Sequence, residues 1–216
     1  MIKIAPSILA ADFSCLREEL GKINDSGADM VHLDIMDGHF VPPMTIGPIV
    51  VQALRPYTKL PFDVHLMVEN PEKHISAFKE AGADSITVHA ETVQDLGKTI
   101  GFIKSLGLKA GVAVKPETTA DSLDEILSIV DMVLIMTVNP GYGGQKFIEG
   151  IQEKIRSVRD TITKRGLDVD IEVDGGINTE TIATVISAGA NVIVTGSAFF
   201  MSHDPKDFVS RLKGSE

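Results

Sequence analysis

The chain has one cysteine, no tryptophan and two tyrosines among its 216 residues. Cys15 alone can form no internal disulfide, so no covalent framework holds the fold and a hydrophobic core must do so. Positive charge is scarce as well. Against 30 aspartates and glutamates stand only 20 lysines and arginines, a net charge of −10 spread along the chain. That excludes the basic stripe of a nucleic-acid binder and the cationic face that seeks anionic lipid. An anionic ligand therefore has to be held by local donors. No apolar run approaches the length of a membrane span, and the opening "MIKIAPSILAADF" is interrupted by Pro6 before it reaches the length of a secretory signal. We expect a cytoplasmic protein without nucleic-acid or membrane partners. Neither a phosphate-loop lysine motif nor a dinucleotide fingerprint occurs, which argues against a nucleotide cofactor.

What is present is an ordinary globular composition, 44% hydrophobic and 23% charged with no low-complexity run, enough for a sizeable core. The segments "SGADMVHLD" (26–34), "AGADSITVH" (81–89) and "AGANVIVTG" (188–196) share one pattern of small residue, glycine, alanine, polar residue and apolar strand. The glycine suits a helix C-terminal cap, where a positive φ clashes with no Cβ. Gly27, Gly82 and Gly189 are 55 and 107 residues apart, about two and four times a strand–helix unit of roughly 27 residues. Eight such units fill the chain.

Apolar, β-branched runs predict eight strands at 3–6, 31–36, 62–67, 85–89, 109–114, 132–138, 170–174 and 192–195. Helical spacing lies between them, as in Phe13, Leu16, Leu20 and Ile23 after Asp12, or Val93, Leu96, Ile100 and Ile103. Pro71 after Asn70 and Pro205 after Asp204 suit the first turn of a helix. Alternating strands and helices make a parallel sheet, and eight units close into an α/β (β/α)8 TIM barrel over a single domain, 1–216. An open doubly wound sheet is the alternative.

One strand, "VHLDIMDGHF" (31–40), is crowded with ionisable groups. Alternation places His32, Asp34 and Met36 on one face, and Asp63, His65 and Met67 on one face of the next strand. All fall near C-terminal strand ends, the rim where barrels build active sites. Ser7, His89, Lys115, Asn139 and Asp174 also lie at or just beyond strand ends. An isolated strand histidine is ordinarily a hydrogen-bonded core residue, and an aspartate beside glycine ordinarily makes a turn. Together His32, Asp34, His65 and Asp174 offer two imidazoles and two carboxylates to a divalent ion, although the residues alone leave a metal site and a satisfied polar core both open. Asp37, His39, Asp63, His74, His89 and His203 are weaker candidates, the histidines being expected at the surface. Met36, Met67 and Met136 fit either core filling or a dry wall over a site.

Three glycine-rich stretches follow the last strands: "NPGYGGQKF" (139–147), "DGGIN" (174–178) and "TGSAFF" (195–200). Loops after strands seven and eight are the recurrent phosphate site of this fold, where backbone N–H groups meet phosphate oxygens unobstructed. Gly143, Gly144, Gly175, Gly176, Gly196 and Ser197 are the expected cradle.

The motifs "APSILAADF", "HLDIMDGHFVP", "HLMV", "VNPGYGGQKF", "EVDGGIN" and "GSAFF" resemble the ribulose-phosphate 3-epimerase family, in order and across nearly the whole chain. The resemblance implies a barrel that interconverts D-ribulose 5-phosphate and D-xylulose 5-phosphate with one divalent metal ion, for which N and O ligands suit zinc, iron, manganese or cobalt. It implies His32, Asp34, His65 and Asp174 as metal ligands, with Asp34 and Asp174 also the catalytic acid/base pair. It further implies substrate contacts at Ser7, His65, Gly141, Tyr142, Gly143, Gly144, Asp174, Gly175, Gly176, Gly196 and Ser197, and a cap of Met36, Met67 and Met136. The expected setting is a homo-oligomer in carbohydrate metabolism acting on a small ketose phosphate. Two departures are visible, "HFVPPMTIG" in the loop after strand two and "GYGG" in place of the commoner "GFGG".

Epimerising a carbon beside a carbonyl requires removing a weakly acidic proton and returning one on the other face, which two carboxyl groups can do in exchangeable roles. A hexulose-phosphate 3-epimerase would use the same groups on a longer sugar. A decarboxylase or isomerase of a phosphoribosyl compound would keep the phosphate site but should show an array of lysines, and a sugar-phosphate sensor need not keep both carboxylates.

Overall fold

A computed structural model describes residues 1–214. Eight strands run β1 (Lys3–Pro6), β2 (Val31–Met36), β3 (Phe62–Met67), β4 (Ser85–His89), β5 (Lys109–Val114), β6 (Met132–Met136), β7 (Asp170–Asp174) and β8 (Val192–Thr195). They pair in parallel in the order β1-β8-β7-β6-β5-β4-β3-β2, and the isolated parallel bridge between Ser7 and His32 draws the two edges together. The result is a nearly closed TIM barrel. Among the described residues no helix is long and apolar enough to cross a membrane.

The helices are α1 (Leu16–Ser26), α2 (Pro48–Leu54), α3 (Ile75–Glu80), α4 (Leu96–Ser105), α5 (Gln152–Arg165), α6 (Ile182–Ser187), α7 (Ser197–Phe200) and α8 (Pro205–Lys213). Their starts carry local signals. Asp95 accepts from the Lys98 amide before α4, and Asp204 accepts from Lys206 and Asp207 before α8, whose first residue is Pro205. Asp12 accepts from the Ser14 amide and so starts a 3-10 turn, Phe13–Cys15, that leads into α1. Gly27, Gly82 and Gly189 take φ of 80°, 100° and 112° where helices give way to strands.

Three local readings differ. β6 stops at Met136, because the Thr137 amide donates to Asp174 O (2.8 Å) and its hydroxyl to Gly175 O (2.5 Å), tying the loop to the end of β7. Pro71 opens a 3-10 turn, Pro71–Lys73, after Asn70 in the left-handed region at φ 49°; α3 begins only at Ile75. Between β5 and β6 a 3-10 turn, Ala120–Leu123, replaces the helix, yet Leu123, Ile126, Leu127 and Val130 still bury against the barrel.

Outward strand residues such as Leu33, Val64, Ile86, Val112, Ile135 and Ile193 join Leu20, Ile23, Ile100, Ile155 and Leu212 of the helices in one apolar core. The barrel interior is different. Part of it is an apolar group of Ala5, Met132, Val192 and Val194, but parallel register sets Asp34 beside His65 and Thr87, and His32 beside Asp63 and Ser85. An interior ordinarily filled by Val, Ile and Leu is here polar on the β2–β4 and β7 sides. Close packing holds it: a Cβ at Gly111 would lie 2.2 Å from Thr87 Oγ1. Gly111→Ala is therefore expected to lower stability by about 1–3 kcal/mol through overpacking, read by equilibrium urea unfolding; an unchanged midpoint would mean that the Thr87 layer is loose.

Candidate active site and metal centre

Period-two alternation delivers the site. His32 and Asp34 come from β2, His65 from β3 and Asp174 from the last position of β7, and each offers a ligand atom within 4.8 Å of the others. Asp34 is the hub. Its Oδ2 accepts from the Ser7 hydroxyl at 2.5 Å, while Oδ1 lies 3.0 Å from His65 Nδ1 and 3.4 Å from His32 Nε2. His32 is oriented from behind by Asp63, whose Oδ2 is 2.7 Å from Nδ1 and whose Oδ1 accepts from Ser85 at 2.7 Å. The ionised Asp63 makes Nδ1 a donor, so the other ring nitrogen faces the centre. That atom, His32 Nε2, is buried without a hydrogen bond.

Four carboxyl groups crowd these imidazoles, and their affinities for protons diverge. Burial alone would raise Asp34, but His32 and His65 hold it well below the usual carboxylate range. Burial and the charge of Asp34 push Asp174 up to about 6. Burial alone would raise Asp63, but the hydrogen bond and charge of His32, with help from Glu172 and Ser85, lower it, whereas burial and the Asp63 charge push Glu172 well above the ordinary range. Burial opposes a charge on His32, yet Asp34, with help from Asp63 and Glu172, raises it well above the imidazole value. Such an enclosure calls for positive charge. An orphaned imidazole nitrogen, two facing carboxylates and a second imidazole fit the N/O donor set of a divalent transition-metal ion.

Above this group opens a cavity of about 210 Å³, which Asp34 and Asp174 enter together with Ser7, Met36, Met67 and Met136. The size suits a small metabolite rather than a dinucleotide. Met36 and Met67 pack with Val41, and Met136 with Ala113, Leu134 and Val138, so the methionines fill core space and wall the cavity at once. The lining also includes Gly141, Tyr142, Gly143, Gly144, Gln145, Gly175, Gly176, Gly196 and Ser197, and among the described residues no lysine or arginine lines the cavity. The amides of Gly143, Gly144 and Gly176 donate to no protein acceptor among the described residues. Gln145 braces their loop through bonds to Asn139 O and Tyr142 O at 2.6 and 2.8 Å. Gly176 cannot be replaced freely: its φ is 69°, and a Cβ would lie 2.4 Å from the Phe147 amide nitrogen.

The structure thus brings together Ser7, His32, Asp34, His65, Asp174, the three methionines and the glycine loops. Tyr142 stands at the mouth and is 62% exposed. His39, His74 and His203 stay at the surface, and Asp37 makes a turn, its Oδ1 accepting from the His39 and Phe40 amides and its Oδ2 from Glu69. His89 corrects the expectation of a surface histidine: it is fully buried beside His65, and burial pulls it down to about 4. It points inward because Ser85, Thr87 and His89 alternate on the barrel face. Glu172 was missed by the sequence reading, although its place two residues before Asp174 puts it on the same inward face.

Residues 3–200 match the Ribulose-phosphate 3 epimerase family. The chain is 51% identical to the ribulose-phosphate 3-epimerase of Bacillus subtilis (strain 168), with all of both chains covered. It is 48% identical to the Synechocystis protein of that name, covering all of this chain and 94% of that one. Among solved structures, a mutant tryptophan synthase alpha-subunit from Pyrococcus furiosus superposes with a TM-score of 0.71 at 19% identity, over 99% of this chain and 100% of that one, a likeness of fold alone.

Proposed function

Because this chain belongs to the ribulose-phosphate 3-epimerase family, an isomerase family, we propose that it epimerises C3 of D-ribulose 5-phosphate to give D-xylulose 5-phosphate, as a single-domain, metal-dependent, cytoplasmic enzyme. The observation that carries the reading is the entry of Asp34 and Asp174 into one small cavity that glycine loops also line.

In this reading the two carboxyl groups flank the C3 carbon. In one direction an ionised carboxylate removes the C3 proton, the electron pair moves toward the C2 carbonyl, and the other carboxylic acid delivers its proton to the opposite face of C3. The proton finishes on the group that began as base, and exchange with water resets the pair. Ser7 limits the rotation of Asp34 by its 2.5 Å bond to Oδ2, leaving Oδ1 toward the two imidazoles. Met36, Met67 and Met136 keep water off the enediolate. His32, Asp34, His65 and Asp174 would hold the divalent ion, zinc, iron, manganese or cobalt, which when bound supplies Lewis acidity that makes the proton beside the carbonyl more acidic. No nucleotide is needed.

The phosphate is held by the amides of Gly143, Gly144 and Gly176, with Gly196 and Ser197 beside them, since the cavity offers no cationic side chain. Gly176→Ala should raise KM for the sugar phosphate at least about tenfold, equivalent to a charge-assisted hydrogen bond, because the added Cβ meets backbone. Gly143→Ala should change it little, as no atom lies within 4 Å of its Cβ position. Steady-state kinetics of both variants check this; equal effects would place the phosphate elsewhere.

Turnover of the metal-loaded protein on D-ribulose 5-phosphate against a hexulose phosphate tests the assignment. Preference for the pentulose supports it, and a preference for the hexulose phosphate or turnover of neither would overturn it.

A further inference from the structure

Glu91, two residues beyond β4, accepts at Oε1 from the Lys115 amide (2.9 Å) and the Thr118 hydroxyl (2.5 Å). Its side chain is only 22% exposed. Two donors on one oxygen hold the group as a carboxylate, and the other oxygen, Oε2, lies 3.1 Å from His89 Nδ1. A carboxylate has no hydrogen to give, so His89 carries its hydrogen on Nδ1. Neutral His89 then presents a lone pair at Nε2, which faces His65 Nε2 at 2.9 Å. One of those two nitrogens must bring a hydrogen, and it is that of His65. With its hydrogen on Nε2, neutral His65 keeps a lone pair on Nδ1, the atom that stands 3.0 Å from Asp34 Oδ1. Two lone-pair atoms that close repel unless an electrophile lies between or beside them.

We infer that Glu91 and His89 form a positioning relay that sets the tautomer of His65 and aims its Nδ1 lone pair at the metal centre. The inference rests on the metal-site reading above. The opposite arrangement would satisfy the contact between His65 Nδ1 and Asp34 Oδ1 but lose the one between His89 and Glu91. A hydrogen on His89 Nε2 would set its bare Nδ1 against Glu91 Oε2, and would force neutral His65 to carry its hydrogen on Nδ1, blocking ligation. Phe40 closes the relay from above, its ring centroid 4.7 Å from that of His89, and both His65 and His89 are 0% exposed, so no water competes for the shared bond. His32 reaches the same end more directly, through Asp63 at 2.7 Å from its Nδ1 with Glu172 beside it at 3.4 Å, which leaves two differently built supports for the two imidazoles.

The test is nitrogen-15 NMR of the histidine rings in the full chain, stripped of metal and then loaded with zinc, together with zinc affinity measured by chelator competition. His89 should be the Nδ1–H tautomer in both states. Glu91→Gln keeps the shape of the side chain but can turn either its carbonyl or its amino group toward His89. It should therefore mix the two tautomers of His89 and weaken zinc binding about tenfold to a hundredfold. A purely structural Glu91 would move neither. His89 protonated at Nε2 in the parent protein, or unchanged zinc affinity in Glu91→Gln, overturns the relay while leaving the metal site standing. A parent protein that binds no zinc overturns both.

Discussion

Replacing either Asp34 or Asp174 by asparagine lowers epimerase turnover by about 10²–10⁴-fold, the range associated with a lost acid or base. Asparagine keeps the shape but can neither take nor give the C3 proton, so the loss belongs to proton transfer rather than to packing. It also weakens a ligand. Metal content must therefore be measured beside turnover, and the decisive comparison is between variants that retain the ion. There the two losses should separate in deuterated water. With one carboxylate remaining, a variant can still remove and return the C3 proton on a single face, washing label into one epimer without inverting it. Asp34→Asn and Asp174→Asn should then label opposite epimers, because the groups reach the cavity from β2 and β7. Near-normal turnover in both variants at full metal content would remove the two-base scheme.

Stripping the ion is expected to lower turnover on the order of a thousandfold, the several kcal/mol that Lewis-acid stabilisation supplies, with recovery on adding zinc, manganese, iron or cobalt. The protein itself gives the reason to expect a second effect. Asp34, Asp63, Glu172 and Asp174 surround His32, whose Nε2 lacks a hydrogen bond. A cation satisfies that nitrogen and offsets the repulsion between carboxylates, so the melting temperature should rise with metal concentration as binding to the folded state alone requires. Each of four single changes, His32→Ala, Asp34→Ala, His65→Ala and Asp174→Ala, should flatten that dependence. If the melting temperature ignored metal in the parent chain, the centre would have to be a proton-sharing polar core instead.

Most of this architecture was open to sequence reasoning because one physical rule repeats. A strand's period of two places "HLD", "DVH" and "EVD" with both ionisable residues on the same face, and seven of the eight strands coincide with their expected bounds. β6 was read two residues too long because Thr137 and Val138 continue its apolar, β-branched run. Only the tertiary bonds from Thr137 to Asp174 and Gly175 end the strand. The link between β5 and β6 shows a related limit: its apolar residues are spaced to bury, and they bury without completing a helix. His89 could have been found by extending the alternation of Ser85 and Thr87 by one step. Glu91 could not, since it lies past the strand and finds His89, Lys115 and Thr118 only once β4 and β5 are side by side. The glycine loops were legible as loops. That Gly176 is fixed by contact with Phe147 whereas Gly143 is sterically free required coordinates.

The claim on which all of this turns is that Asp34 and Asp174 move a proton off one face of C3 and onto the other. Conversion of D-ribulose 5-phosphate by the metal-loaded protein in deuterated water, followed by NMR at early times, tests it most directly. The account predicts D-xylulose 5-phosphate carrying a solvent-derived deuteron at C3. Xylulose 5-phosphate formed with the original C3 hydrogen retained through many turnovers would contradict it, since that hydrogen would have travelled with the substrate and not through two carboxyl groups that exchange with water.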